Sequence, residues 1–187
     1  MQPGTLRLGR LDVVAPATDH PDLLAPPVLA ALSGWPDGPD VGVAAIDPEL
    51  ADTAAFAEAY DVPLEVSANC VVVGGRRGGD ERVAACMVLA TTRADVNNVV
   101  RRALDVRKAS FLSMDDAVRA TGMEYGGITS VGLPAEWPVL VDAAVAATDV
   151  VVIGSGVRHS KLVLPGTALA RLPGAQVVEG MARVPQA

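Results

Sequence analysis

The sequence predicts an α+β domain built on a mixed sheet, and three observations carry that prediction. Half of the residues are apolar, enough for a full core in a chain of 187 residues. Strand-like and helix-like segments alternate without the regular period of βαβ units. At least one pair of strands is joined by a tight glycine turn, which makes those strands antiparallel neighbours. At this length a single domain is expected, over residues 26–183, with residues 1–25 read as an N-terminal extension.

The elements follow in order. The segment up to Pro21 has no clear period, and a short strand is expected at Leu11–Val14. Pro26-Pro27 opens a helix, because proline suits the first helical turn, and Val28, Leu29 and Leu32 give that helix an apolar face. Gly34 to Pro39 is a loop and Val41–Ile46 a strand. Asp47-Pro48-Glu49 has the form of a helix start, with Leu50, Ala54, Ala57 and Tyr60 near helical spacing. Cys70–Val73 reads as a buried strand, residues 74–79 as a hairpin turn, and Val83–Ala90 as the returning strand. Asp95 caps a helix through Leu104, and Ala109–Leu112 is a short strand. Ser113 to Asp116 forms a capping box whose helix stops at Gly122. Gly126–Val131 is loop or strand edge. Strands are then expected at Val139–Asp142, Val150–Ile153, Leu162–Leu164 and Gln176–Val178, with a short helix at Thr167–Leu172.

Composition limits the function. With 15 basic against 22 acidic residues the chain carries −7, which argues against a general nucleic-acid coat, DNA included, because phosphate binding needs clustered Lys and Arg. A small basic mouth around one RNA end is compatible with it. The candidates are Arg76, Arg77 and Arg82, then Arg101, Arg102, Arg107 and Lys108, although paired arginines are commonly just a solvated face. Cys70 and Cys86 lack CxxC spacing and a histidine at metal spacing, so neither a zinc site nor a disulfide framework is expected. No secretion signal and no membrane-length apolar run is seen. A cytoplasmic protein without membrane contact is the expectation.

Three glycine-rich stretches invite a ligand. Val150–Gly156 begins like a dinucleotide fingerprint, but His159 stands where the third glycine belongs, and no Gly-Lys-Ser/Thr follows to make a phosphate loop. A strand-end loop whose backbone N–H groups approach an oxyanion remains open, with Arg158 and Lys161 adding charge; a plain tight turn is the competing reading. Residues 74–79 precede a strand and are read as a hairpin with no phosphate role. Gly126-Gly127-Ile128-Thr129-Ser130-Val131-Gly132 combines glycines with hydroxyls, which suits close backbone approach to a ligand. Asp142 ends a strand, where it either caps the next segment or orients a substrate amine or hydroxyl. His159 with Cys70 or Ser160 is a conceivable hydrolase pair, although nothing in the sequence brings them together. A buried structural Cys70 is the simpler reading.

Taken in order, the stretches Asp95–Leu104, Arg107-Lys108-Ala109-Ser110-Phe111, Thr121-Gly122, Gly126-Gly127-Ile128, Gly132, Val139-Leu140-Val141-Asp142, Gly154-Ser155-Gly156 and Lys161-Leu162-Val163-Leu164 resemble the YbaK/EbsC family. That family includes the prolyl-tRNA synthetase editing domain and free-standing aminoacyl-tRNA deacylases. The resemblance spans roughly residues 40–180. It implies a mixed, strongly curved, barrel-like sheet surrounded by helices. It implies a pocket for the acceptor end of a mischarged tRNA, and ester hydrolysis in trans with no metal or other cofactor. Water attacks the ester, the substrate's ribose hydroxyl assists, and the protein positions groups and stabilises the oxyanion.

On this resemblance the catalytic positions are Asn69, Gly127 and Lys161. The substrate-binding positions are Cys70, Lys108, Gly126, Ile128, Thr129, Ser130, Gly132, Asp142, Gly154, Ser155, Gly156 and Arg158. Two departures stand out. The family's deacylases carry a lysine where this chain has Asn69, which can hydrogen-bond but brings no charge. The family's Gly-Gly-x-x-Pro loop has Ser130 in place of proline. Lys161 and Lys108 are the candidates to replace the missing charge. An active deacylase predicts an open pocket with Asn69 facing Gly127 and a positive rim; a non-catalytic binding module predicts a narrowed pocket or an acidic rim.

Overall fold

The computed structural model describes residues 6–185, so the first five residues of the expected extension lie outside the described residues. The strands are β1 (Leu6–Leu8), β2 (Leu11–Val13), β3 (Gly42–Ala45), β4 (Ala68–Arg77), β5 (Asp80–Leu89), β6 (Arg93–Ala94), β7 (Ala109–Phe111), β8 (Val139–Asp142), β9 (Val151–Gly154), β10 (Ser160–Leu164), β11 (Ala175–Val178) and β12 (Ala182–Arg183). The helices are α1 (Pro26–Gly34), α2 (Thr53–Tyr60), α3 (Arg101–Ala103), α4 (Met114–Thr121), α5 (Ala143–Ala146) and α6 (Gly166–Leu169).

Two sheets dominate. One has the order β11-β8-β5-β4-β7, with parallel pairs at β11–β8 and β8–β5 and antiparallel pairs at β5–β4 and β4–β7. The other is the antiparallel order β3-β10-β9. They meet at one corner, where Ser67 bridges Val152. The mixed α+β architecture is as the sequence predicts. The expected barrel-like closure is not seen: among the described residues neither sheet closes on itself, and single bridges, Ser67 to Val152 on β9 and Val14 to Val43 on β3, flank the smaller one.

Strand alternation explains the layers. On β5, Ala84, Cys86 and Val88 join Leu140 of β8 under the helical turn Val96–Val100 and Leu104, while Met87 faces the other way with Val139 and Val141 into the main core. This two-sided burial requires near-continuous apolar strands, which is how residues 83–89 read. The smaller sheet does the same. Val43, Ile153, Leu162 and Leu164 enter the main core beside Val28 and Leu32 of α1, whereas Ala44, Val152 and Val163 pack under Phe56 of α2 with Leu11 and Val13. Phe56 is fully buried, a contribution of about 2–3 kcal/mol from apolar area alone.

Local chemistry sets the boundaries. Ser113 accepts from the Asp116 N–H and Gly122 takes the left-handed conformation, so α4 starts and stops at its expected caps. The expected hairpin turn shortens to Gly78-Gly79, and both of these residues have positive φ. Gly74 and Gly75 stay in strand β4 because β7 crosses them closely: a Cβ on Gly75 would stand 2.4 Å from the Lys108 carbonyl oxygen. The helix expected from Asp47 is broken. Asp47 caps a single turn, Pro48–Leu50, and Asp52 caps α2 separately. That break positions the site.

Candidate functional site

The cavity of about 510 Å³ lies at the corner where the two sheets meet. Its walls are the first half of β4, the end of β9, the start of α2, the β7–α4 junction and the glycine loop at 125–128. Of the predicted site residues, Asn69, Cys70, Gly126, Ile128, Gly154, Arg158 and Lys161 line it.

Lys161 projects from β10 and is only 8% exposed. Its ammonium donates to the Ala51 carbonyl at 3.0 Å and lies 5.3 Å from the centre of the Phe56 ring. The Ala51 carbonyl is available because the break before α2 removes it from a continuous helix. Burial pulls the Lys161 pKa from 10.5 down to about 8; the nearby Asp52 carboxylate works against that, and Arg158 works with it. Lys161 is therefore a cation held in place yet near the point of losing its proton.

Asn69 is the second polar group in the wall. Its Oδ1 accepts from the Thr53 hydroxyl at 2.8 Å. Its amide nitrogen makes no hydrogen bond among the described residues, so it is left to donate into the cavity. Asp52 also lines the cavity. One of its oxygens accepts from the Ala54 N–H, which leaves the other for a ligand.

The two glycine loops build the opposite wall by backbone contact. Gly156 N–H donates to the Gly127 carbonyl at 2.8 Å, and Glu124 N–H to the Gly156 carbonyl at 2.8 Å. A Cβ on Gly154 would stand 2.3 Å from the Gly127 carbonyl oxygen, and one on Gly127 would stand 2.5 Å from the Val157 carbonyl oxygen. Only glycine permits this approach. Arg158 ties the loops to the turn before α2, donating to the carbonyls of Tyr125 at 3.3 Å and Pro48 at 2.8 Å.

The remaining predicted residues stand behind this wall or away from it. Gly127 supports Gly154 from behind rather than facing Asn69 across the cavity. Thr129 and Ser130 are buried, and their hydroxyls have no hydrogen-bond partner among the described residues. Gly132 packs on the Pro27 backbone, and Gly156 on Ala25 and Val28. Ser155 donates to the Ser160 carbonyl at 3.0 Å. Asp142 caps Ala144 and accepts from the Ala182 N–H, a structural task between β8 and β12. Lys108 is exposed beside the β4–β5 hairpin and lines no part of the cavity.

Burial, reinforced by Cys86, raises the Cys70 thiol far above its ordinary value. His159 is occupied with the Asp22 carbonyl at 3.0 Å. Cys70 and His159 therefore do not form a nucleophile–base pair. Among the described residues, no cluster of three or more His, Cys, Asp or Glu is placed to hold a metal ion, and no helix is long and apolar enough to cross a membrane.

Sequence reasoning missed Asp52, Thr53, Phe56, Phe111, Met114 and Tyr125 as lining residues. The first three were hidden by taking residues 47–60 as one helix. The aromatic ones carry a compositional signal. The chain has only six aromatic residues, and Phe56, Phe111 and Tyr125 all line this cavity. Phe111, Met114 and Tyr125 are more than half exposed at its rim.

This fold is shared with solved structures. A scaffold protein used for epitope backbone grafting by computational design superposes with a TM-score of 0.70 at 21% identity, covering 83% of this chain and 95% of the other. A candidate trans-editing enzyme for prolyl tRNA synthetase gives 0.70 at 20% identity, covering 83% and 94%. Hypothetical protein APE2540 gives 0.66 at 19%, covering 75% and 90%. At these identities the likeness shows the fold. No curated protein matches the sequence. The aminoacyl-tRNA editing domain model matches residues 47–172, which take in every residue lining the cavity. The chain belongs to the aminoacyl-tRNA editing domain family, of the YbaK type.

Proposed function

We propose that this protein is a trans-editing deacylase that hydrolyses the ester of mischarged tRNA, within residues 26–183. The observation that carries this is the pairing, in one open cavity, of a buried ammonium, Lys161, with an uncommitted amide donor, Asn69. In the reaction, water adds to the ester carbonyl carbon and loses a proton to solvent. The tetrahedral oxyanion then collapses, the bond to the ribose oxygen breaks, and that oxygen takes up a proton as the amino acid and the tRNA separate. The barrier falls most where charge develops on the carbonyl oxygen. Lys161 and Asn69 are the donors for that oxygen. Lys161 restores from β10 the charge that Asn69 lacks on β4.

The other roles follow from charge and shape. Asp52 carries the charge that the substrate's α-ammonium needs. Cys70, Gly126, Ile128 and Gly154 shape the acyl pocket, with Gly127 fixing the wall behind them. Phe111 and Tyr125 offer π-faces at the rim for the terminal base, and base–aromatic stacking is worth about 1–3 kcal/mol per base. Arg158 supplies positive charge at the same edge.

The test is deacylation of tRNAs charged with Ala, Ser, Cys, Pro and Thr, beside Asn69→Ala and Lys161→Met proteins. Hydrolysis of at least one ester, reduced by each variant, is expected. A folded wild-type protein that cleaves none of them overturns the proposal and leaves a pocket that only binds.

A further inference from the structure

The cavity explains how an ester is held but not how an acidic protein holds the polyanion attached to it. The two basic runs of the sequence, residues 76–82 and 101–108, together carry seven of the fifteen Lys and Arg and only three carboxylates, Asp80, Glu81 and Asp105. The fold brings the runs together. Arg77 and Arg82 both pair with Asp105, at 2.6 and 3.0 Å, and Arg82 also donates to the Leu104 and Asp105 carbonyls. The close crossing of Lys108 over Gly75 joins the other ends of the two runs.

Most of this charge is uncommitted. Arg76, Arg107 and Lys108 are exposed and have no ion-pair partner among the described residues. Among the described residues, Arg101 and Arg102 use only their Nε groups, on the Asn97 and Asn98 carbonyls. Strand β7 runs from this basic end directly to the cavity: Lys108 precedes it, and its last residue, Phe111, is on the cavity rim. Three residues of strand span about 10 Å, roughly three phosphates along one strand of a duplex.

We propose that this basic end is a docking surface for the phosphate backbone of the substrate tRNA's acceptor arm, supplying affinity to the site without taking part in the chemistry. The proposal rests on the deacylase reading for its choice of partner, but the surface is tested without turnover. Binding of uncharged tRNA is titrated between about 50 and 200 mM salt. An Arg107→Gln/Lys108→Gln protein is compared with an Arg7→Gln/Arg10→Gln protein, which removes equal charge from two exposed positions of the β1–β2 hairpin.

The cluster variant is expected to bind roughly tenfold more weakly at low salt and to lower the slope of log K against log[salt] by about 1.8, as two lost phosphate contacts on a duplex require. The hairpin variant is expected to match wild type. In deacylation the cluster variant is expected to raise KM with kcat unchanged. Equal behaviour of the two variants, or tRNA binding that neither alters, overturns the surface. Salt-sensitive tRNA binding through the cluster without hydrolysis of any ester keeps the surface and removes the deacylase. Hydrolysis that ignores the cluster does the reverse.

Discussion

Replacing Lys161 by methionine separates what this residue does for stability from what it does for chemistry. The ammonium is buried, and its pKa falls from 10.5 to about 8. At about 1.4 kcal/mol per pH unit, keeping that charge inside costs the native state about 3 kcal/mol at pH 7. Methionine has nearly the same length, so the space stays filled. It loses the charge-assisted hydrogen bond to Ala51, a loss of about 2 kcal/mol. The net expectation at pH 7 is a variant about 1 kcal/mol more stable than wild type, or about 2–4 °C higher in Tm for a chain of this size. The sign of the pH dependence follows from linkage. Between about pH 8 and 10.5 the unfolded chain binds the proton that the native state has released, so wild-type stability rises with pH across that window. The advantage of the variant fades over the same window. Urea denaturation of both proteins at pH 7 and pH 10 measures this, with deacylation run on the same samples. A variant that is less stable at pH 7, or more stable by the same margin at both pH values, would refute the claim that an ammonium is held there against its desolvation. Activity retained in full would refute its role at the oxyanion.

Other expectations follow from the same geometry. If the Lys161 ammonium holds the oxyanion, the enzymatic rate above the uncatalysed background falls as pH rises through about 8; a rate that climbs through that pH makes the neutral amine a base instead. Asp52→Asn keeps the cap on Ala54, because asparagine caps as well as aspartate. Because the carboxylate also favours the buried Lys161 ammonium, its Tm is expected to fall slightly, while an ester with a free α-amino group loses roughly tenfold in kcat/KM and an N-acetylated ester, lacking that charge, is the control that should lose far less. Gly154→Ala forces a Cβ toward the Gly127 and Ile128 carbonyl oxygens, at 2.3 and 2.7 Å, and is expected to cost about 1–3 kcal/mol and most of the activity; a variant with wild-type Tm and turnover removes the close-approach argument. Burial raises the Cys70 thiol strongly and pushes Cys86 up to about 12, so iodoacetamide at pH 8 is expected to leave both unmodified until the protein is unfolded, as followed by mass spectrometry.

Much of the fold was legible because its signals are local. The Ser113 capping box with Gly122, the proline start of α1 and the apolar run of β8 are each set by neighbours a few residues apart and stand where the sequence puts them, and the glycine turn between β4 and β5 forms within its expected stretch, shortened to Gly78-Gly79. The site was legible only in part. Its glycines announce themselves because close backbone contact excludes every other residue type, and Gly126 and Gly154 do line the cavity. Asp52 and Phe56 gave no such signal: two capping acids five residues apart fit one helix or two, and the fold shows two, with the Ala51 carbonyl between them bonded to Lys161. Whether a glycine in the 126–132 loop faces the cavity or supports its wall from behind is likewise decided by packing against residues 154–157.

By itself the sequence determined most element types, the pairing of β4 with β5, the small-residue core and the family likeness, since these depend on periodicity, caps and steric exclusion along the chain. The tertiary structure alone decided that Lys161 is buried against Phe56 while Lys108 is outside, that Asn69 keeps its amide free, and that two basic runs meet beside one strand. Those facts depend on contacts between residues as far as 110 apart in the chain, where charge and burial are set by what the fold places nearby rather than by any neighbour in sequence.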